Sequence, residues 1–101
     1  MIYPVDRDLR SIEPPGRLTV RLTAAQFVIF DTLNEADGAW VPRDTILAKL
    51  AERRMSRGGM SIDDEQGILR VQVYHLRGRI SDFAKIEGKH HVGYRLISLP
   101  I

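Results

Sequence analysis

The chain has 101 residues, is 44% hydrophobic and 28% charged, and carries a net charge of +2 with no cysteine. That length suits one small domain, and the lack of cysteine excludes disulfides, cysteine-ligated zinc and thiol nucleophiles while fitting a reducing compartment. No apolar run approaches the roughly 18 residues that span a membrane, and residues 1–16 show no signal-peptide pattern, so the expected location is the cytoplasm.

Residues 1–17 are polar and contain Pro14-Pro15-Gly16, which disfavours helix. They read as an N-terminal arm or an edge strand, ahead of a domain over 18–101. Leu18-Thr19-Val20-Arg21-Leu22 alternates apolar and polar residues and predicts a strand with Leu18, Val20 and Leu22 facing the core. Thr23 with Gln26 forms a capping-box pattern. It predicts a first helix running to about Glu35, with Phe27, Phe30 and Leu33 on its apolar side and a turn at Ala36-Asp37-Gly38.

Trp40-Val41 reads as a short extended piece, because Pro42 biases Val41 away from helix. Trp40 is expected to pack beneath a C-terminal hairpin, with Val41 pairing to it. A second helix is predicted from Pro42 or Arg43 to about Arg54, with Ile46, Leu47 and Leu50 on its apolar face. Residues 55–63 include Gly58-Gly59 and read as a loop. Ser61 or Asp63-Asp64 can cap a third helix over about 65–81, in which Leu69, Val73, Leu76 and Ile80 form one apolar stripe. At about 100° per residue, Ile68, Val71, Gln72, His75 and Arg79 lie on another face. Two strands over 85–89 and 94–99 then flank a turn at 90–93.

Charge is concentrated at the C-terminal end. Residues 66–101 hold six basic side chains against two acids, and all three histidines. A basic helix followed by a basic ribbon suits a protein that places a helix in a DNA groove and a ribbon along the backbone.

The element order, together with four local patterns, resembles the C-terminal effector domain of OmpR/PhoB-type response regulators over about residues 18–98. The patterns are Leu22-Thr23-x-x-Gln26-Phe27, Val41-Pro42-Arg43-Asp44-x-Ile46-Leu47, Val71-x-Val73-x-x-Leu76-Arg77-x-x-Ile80 and Val92-Gly93-Tyr94-Arg95-Leu96. The last is the most specific. The resemblance implies an α+β winged helix-turn-helix of three helices, a short N-terminal strand region and a C-terminal hairpin wing. It implies a transcriptional regulator that binds double-stranded DNA. The helix over about 65–81 would enter the major groove, and the wing over about 85–98 would lie on the backbone or minor groove.

Gln72 and His75, one turn apart, are then placed to reach base edges, and Val71 to pack on a thymine methyl. Arg70, Tyr74, Arg77, Arg79, Lys89, His90 and His91 are placed for phosphate or flanking contacts. In the family the loop before the third helix can touch RNA polymerase, which points to residues 55–63 here. A homodimer on DNA is compatible with this reading. The family's wing usually carries Arg-Gly where this chain has His90-His91, its N-terminal sheet must be truncated here, and the receiver domain is not in this sequence.

Other chemistries fit less well. Adjacent residues in a strand point to opposite faces and rarely ligate one ion, so His90-His91 read as a polar wing tip and no metal site is expected. Ser61, Asp63, Asp64 and Glu65 fit a helix cap better than a cation loop. Gly88 and Gly93 lack the sequence of a phosphate loop. No catalytic constellation is apparent, so neither enzyme activity nor a cofactor is expected. The competing reading is a winged-helix protein-interaction module, an adaptor or an inhibitor of another regulator. It predicts an exposed apolar patch of Ile68, Val71 and Tyr74.

Overall fold

The computed structural model describes residues 1–54 and 62–99. In chain order they form β1 (Val5–Asp6), β2 (Ser11–Ile12), β3 (Val20–Arg21), α1 (Ala24–Glu35), α2 (Arg43–Arg54), α3 (Ile62–Ile80), β4 (Ala84–Lys89) and β5 (Gly93–Ser98). The result is an α+β fold with three helices and two antiparallel sheets, β1-β2-β3 and β4-β5.

Local chemistry sets the helix limits. Thr23 is extended, its hydroxyl accepts from the Gln26 N–H at 3.3 Å, and the Gln26 side chain accepts from the Thr23 N–H at 3.2 Å. Both bonds satisfy donors that open a helix with no partner of their own. After α1 the chain turns through Asp37 (φ 53°) and Gly38 (φ 89°), left-handed geometry that glycine adopts without strain. α3 begins at Ile62, earlier than the spacing of apolar residues predicts. Asp63 and Asp64 therefore lie in its first turn, where acids suit the helix dipole, and are not caps before it. The alternative cap, Ser61, and residues 55–61 of the predicted polymerase-facing loop lie outside the described residues, while 62 and 63 belong to α3.

The core draws on the N-terminal segment, all three helices and the C-terminal hairpin. Ile29, Phe30 and Leu33 from α1 meet Ile46 and Leu50 from α2, the full Leu69-Val73-Leu76-Ile80 stripe of α3, and Ile86 and Leu96 from the hairpin. Burying each such side chain stabilises the fold by about 1.5–3 kcal/mol before entropy is set against it. Tyr3 and Ile12 join the same cluster, so residues 1–17 pack into the domain and supply two strands of its first sheet. Leu18 departs from expectation: it is 89% exposed, and β3 is only Val20–Arg21. Alternation identified an extended segment, but β2 pairs only with positions 20 and 21, which leaves Leu18 beyond the sheet.

The C-terminal hairpin runs in register from Ala84 opposite Ser98 to Lys89 opposite Gly93. Val41 extends it: its N–H donates to the Tyr94 carbonyl at 2.7 Å, and the Tyr94 N–H donates back at 3.0 Å. Gly93, at φ 142°, is required for this pairing. A Cβ there would lie 2.0 Å from the Val41 carbonyl oxygen, inside any contact distance.

Candidate functional site

The polar side of α3 follows from its buried side. With Leu69, Val73, Leu76 and Ile80 turned into the core, residues at about 100° per step place Val71 almost directly opposite, flanked by Tyr74 and His75. Val71 is 52% exposed and Tyr74 73%. Arg70, His75, Arg77 and Arg79 are exposed, and Gln72 is half-buried toward the edge of the face. Tyr74 and His75 meet edge to face with ring centroids 5.6 Å apart. The outermost ridge is therefore Val71 and Tyr74 with His75 beside them, whereas Gln72 sits lower than the sequence pattern alone implies.

On α3 and the hairpin, Arg77, Arg79 and Arg95 have structural partners. The Arg77 Nε donates to the Ile86 carbonyl on β4 at 3.1 Å, and an Arg79 terminal nitrogen donates to the Arg21 carbonyl on β3 at 2.8 Å. The C-terminal turn of α3 thus ties one sheet on each side, which polarity patterns cannot reveal because the acceptors are backbone atoms. Each guanidinium keeps further N–H groups for other contacts. Arg95 is more fully committed. It binds Glu87, its partner across the strands, at 2.6 and 2.9 Å, and its guanidinium lies 4.5 Å from the Trp40 ring centroid. Trp40 therefore stacks with a hairpin residue, as its position before Val41 suggests.

The hairpin tip carries Lys89, His90 and His91, all exposed. The histidines occupy the turn predicted over 90–93. The Val92 N–H donates to the Lys89 carbonyl at 3.0 Å, and His91 takes a left-handed φ of 63°. Their rings lie 3.8 Å apart between centroids, so the expectation that they point to opposite faces is corrected. Among the described residues no group of three or more His, Cys, Asp or Glu side chains is arranged to hold a metal. The Arg77 guanidinium also passes beside Gly88, so that a Cβ built there would lie 3.5 Å from it.

A second charged region lies where the β1–β2 turn meets α1 and α2, around a cleft of about 450 Å³. Arg7 there binds Asp31 at 3.3 Å and Glu35 at 2.6 Å, and its guanidinium holds its proton more firmly than a free arginine, first through the hydrogen bond to Asp31. These charges largely answer one another, which marks the cluster as a tie between the N-terminal turn and α1.

Comparison with protein-family models, curated proteins and solved structures found no match to this chain. Among the described residues, no helix is long and apolar enough to cross a membrane.

Proposed function

We propose that this chain is a winged-helix transcriptional regulator that binds double-stranded DNA, with α3 in the major groove and the β4–β5 hairpin as its wing. The observation that carries the reading is the exposed face of α3: Arg70, Val71, Tyr74, His75, Arg77 and Arg79 are exposed on a helix whose Leu69, Val73, Leu76 and Ile80 are buried. Beside it stands a hairpin whose tip presents Lys89, His90 and His91. The surrounding segment, residues 66–101, carries four more positive than negative charges. Base edges would be met by Val71, Tyr74, His75 and Gln72, and phosphates by Arg70, Arg77, Arg79 and the hairpin tip.

A second reading draws on a specific observation. Val71 and Tyr74 are exposed apolar side chains on one ridge, the start of the patch expected of a protein-interaction module. Ile68, the third member of that patch, has its side chain outside the described residues. Selection from a random duplex pool at two salt concentrations, followed by sequencing of the bound fraction, decides between the two. Enrichment of one motif with strongly salt-dependent affinity supports the DNA reading. Absence of duplex binding at low salt overturns it in favour of a protein partner.

A further inference from the structure

The cleft where the β1–β2 turn meets α1 and α2 holds about 450 Å³, a size typical of small-molecule pockets. Among the described residues, none from α3 or the hairpin lines it. Its apolar side is Phe27 and Val28 of α1, the first buried and the second half-buried. Two acids of the lining, Asp31 and Glu35, are taken by Arg7 at 3.3 and 2.6 Å. The other charges of the lining are Arg10 on the turn and Lys49 and Glu52 on α2. All three are exposed, and none forms an ion pair among the described residues.

Arg10 stands where its backbone is under strain. Its φ of 54° is left-handed, geometry that glycine adopts freely and a residue with a Cβ does not. Its carbonyl accepts from the Leu22 N–H at 2.9 Å, which fixes the end of the turn. Glycine would make this turn with less strain; what arginine adds is a guanidinium at the cleft. With Arg7 and its two acids answering one another, two cations and one acid remain, an excess of 2 − 1 = +1 beside an apolar floor. An anion with an apolar body answers both features. Its head takes the two free cations, and its body removes the surface of Phe27 and Val28 from water. A cationic molecule would instead meet acids already bonded to Arg7 and two like charges.

We infer that this cleft binds a small amphipathic carboxylate, its head held by Arg10 and Lys49 and its apolar body lying against Phe27 and Val28. Such a ligand bridges the N-terminal turn to α2. The inference is independent of the DNA-binding reading, and its test uses no DNA, so either can fail without the other.

The probes are hexanoate, hexylamine, hexanol and formate, each titrated into the full chain and followed by the NMR shifts of backbone amides. Hexanoate is expected to saturate with a millimolar Kd, which suits so few atoms, and to move the amides of Arg10, Phe27, Val28 and Lys49. Arg10→Gln and Lys49→Gln should each weaken hexanoate by about two- to fivefold, and Glu52→Gln, which removes the unanswered acid, should tighten it by a similar factor. These sites are exposed, so the melting of each variant without ligand should match the wild type. Formate lacks the apolar body and hexanol the charge, and each should bind at least about tenfold more weakly than hexanoate. Hexylamine binding as tightly as hexanoate overturns the inference. So do hexanoate affinities that stay unchanged in all three variants, or the absence of any saturable shift at these amides up to ~50 mM, beyond the affinity expected of such a probe.

Discussion

Asn34, in the last turn of α1, holds the backbone of Tyr3 by both of its polar groups. Its side-chain oxygen accepts from the Tyr3 N–H at 2.8 Å, its amide nitrogen donates to the Tyr3 carbonyl at 2.8 Å, and the same oxygen accepts from the Ile2 N–H at 3.0 Å. The side chain imitates a strand partner for a segment that has no strand beside it. Because Asn34 is fully buried, Asn34→Ala removes all three bonds and strands the backbone groups of Tyr3 away from water. The expected loss is about 2–4 kcal/mol of unfolding free energy by urea denaturation. A change under about 0.5 kcal/mol would show that the N-terminal segment is held by other contacts.

Two glycine substitutions should move stability in opposite directions. Gly93→Ala drives a methyl group into the Val41 carbonyl and is strained at φ 142° whatever the space. It should cost about 2 kcal/mol or more and loosen the Val41–Tyr94 pairing. Gly78 is helical, and a Cβ there meets nothing within 4 Å. Gly78→Ala should therefore gain up to about 1 kcal/mol from helix propensity. Paired melting curves test both signs, and equal shifts in one direction would contradict the geometry.

Ser11 is buried at 1% exposure, and its hydroxyl has no hydrogen-bond partner among the described residues. A buried hydroxyl left unpaired gives up its water for nothing. Ser11→Ala, which keeps the small volume beside β3, should leave stability unchanged or raise it by about 1 kcal/mol. A clear destabilisation would mean that a bound water or another donor serves the hydroxyl in solution.

The DNA reading makes a quantitative demand. If α3 and the hairpin engage about four to six phosphates, affinity should fall with salt at a log–log slope of roughly −4 to −5. Lys89→Ala, at the exposed hairpin tip, should weaken all duplexes alike and reduce the slope by about one unit. Gln72→Ala should instead relax preference at one or two base pairs, by about 1–3 kcal/mol on the best site. Its half-buried position favours the lower end of that range. Loss of sequence preference in Lys89→Ala, with uniform weakening in Gln72→Ala, would reverse the roles of helix and hairpin.

What the sequence made legible was local and periodic. The Thr23–Gln26 capping box placed the start of α1, and the spacing of Leu69, Val73, Leu76 and Ile80 identified a stripe that is buried along its whole length. Val41 beside the hairpin was legible because Pro42 keeps it extended. Contacts across long separations were not legible. Nothing in the residues around Asn34 marks it as the partner of Tyr3, because the groups it binds are backbone atoms common to every residue. The same holds for Arg77 and Arg79, whose acceptors are carbonyls on two different sheets. Leu18 was misplaced because alternation gives the period of a strand but neither its length nor its register. The histidine pair was placed in the turn correctly, but its neighbouring rings were not foreseen, because alternation between faces holds along a strand and not through a turn.

Tyr3 also bears on the order in which the chain can organise itself. Its hydroxyl donates to the Phe83 carbonyl at 2.7 Å and accepts from the Ser98 hydroxyl at 3.0 Å, contacts that span 80 and 95 residues of sequence. Closing loops of that size costs entropy before any bond repays it, so helices and the C-terminal hairpin, built from near neighbours, should assemble first. On a ribosome the tyrosine emerges 80 residues before the first of these partners and 95 before the second. Tyr3→Phe should accordingly leave the refolding rate nearly unchanged and speed unfolding. A seam closed last is the one that opens first, so the molecule's lifetime under force or protease should be set where Tyr3 meets Phe83 and Ser98.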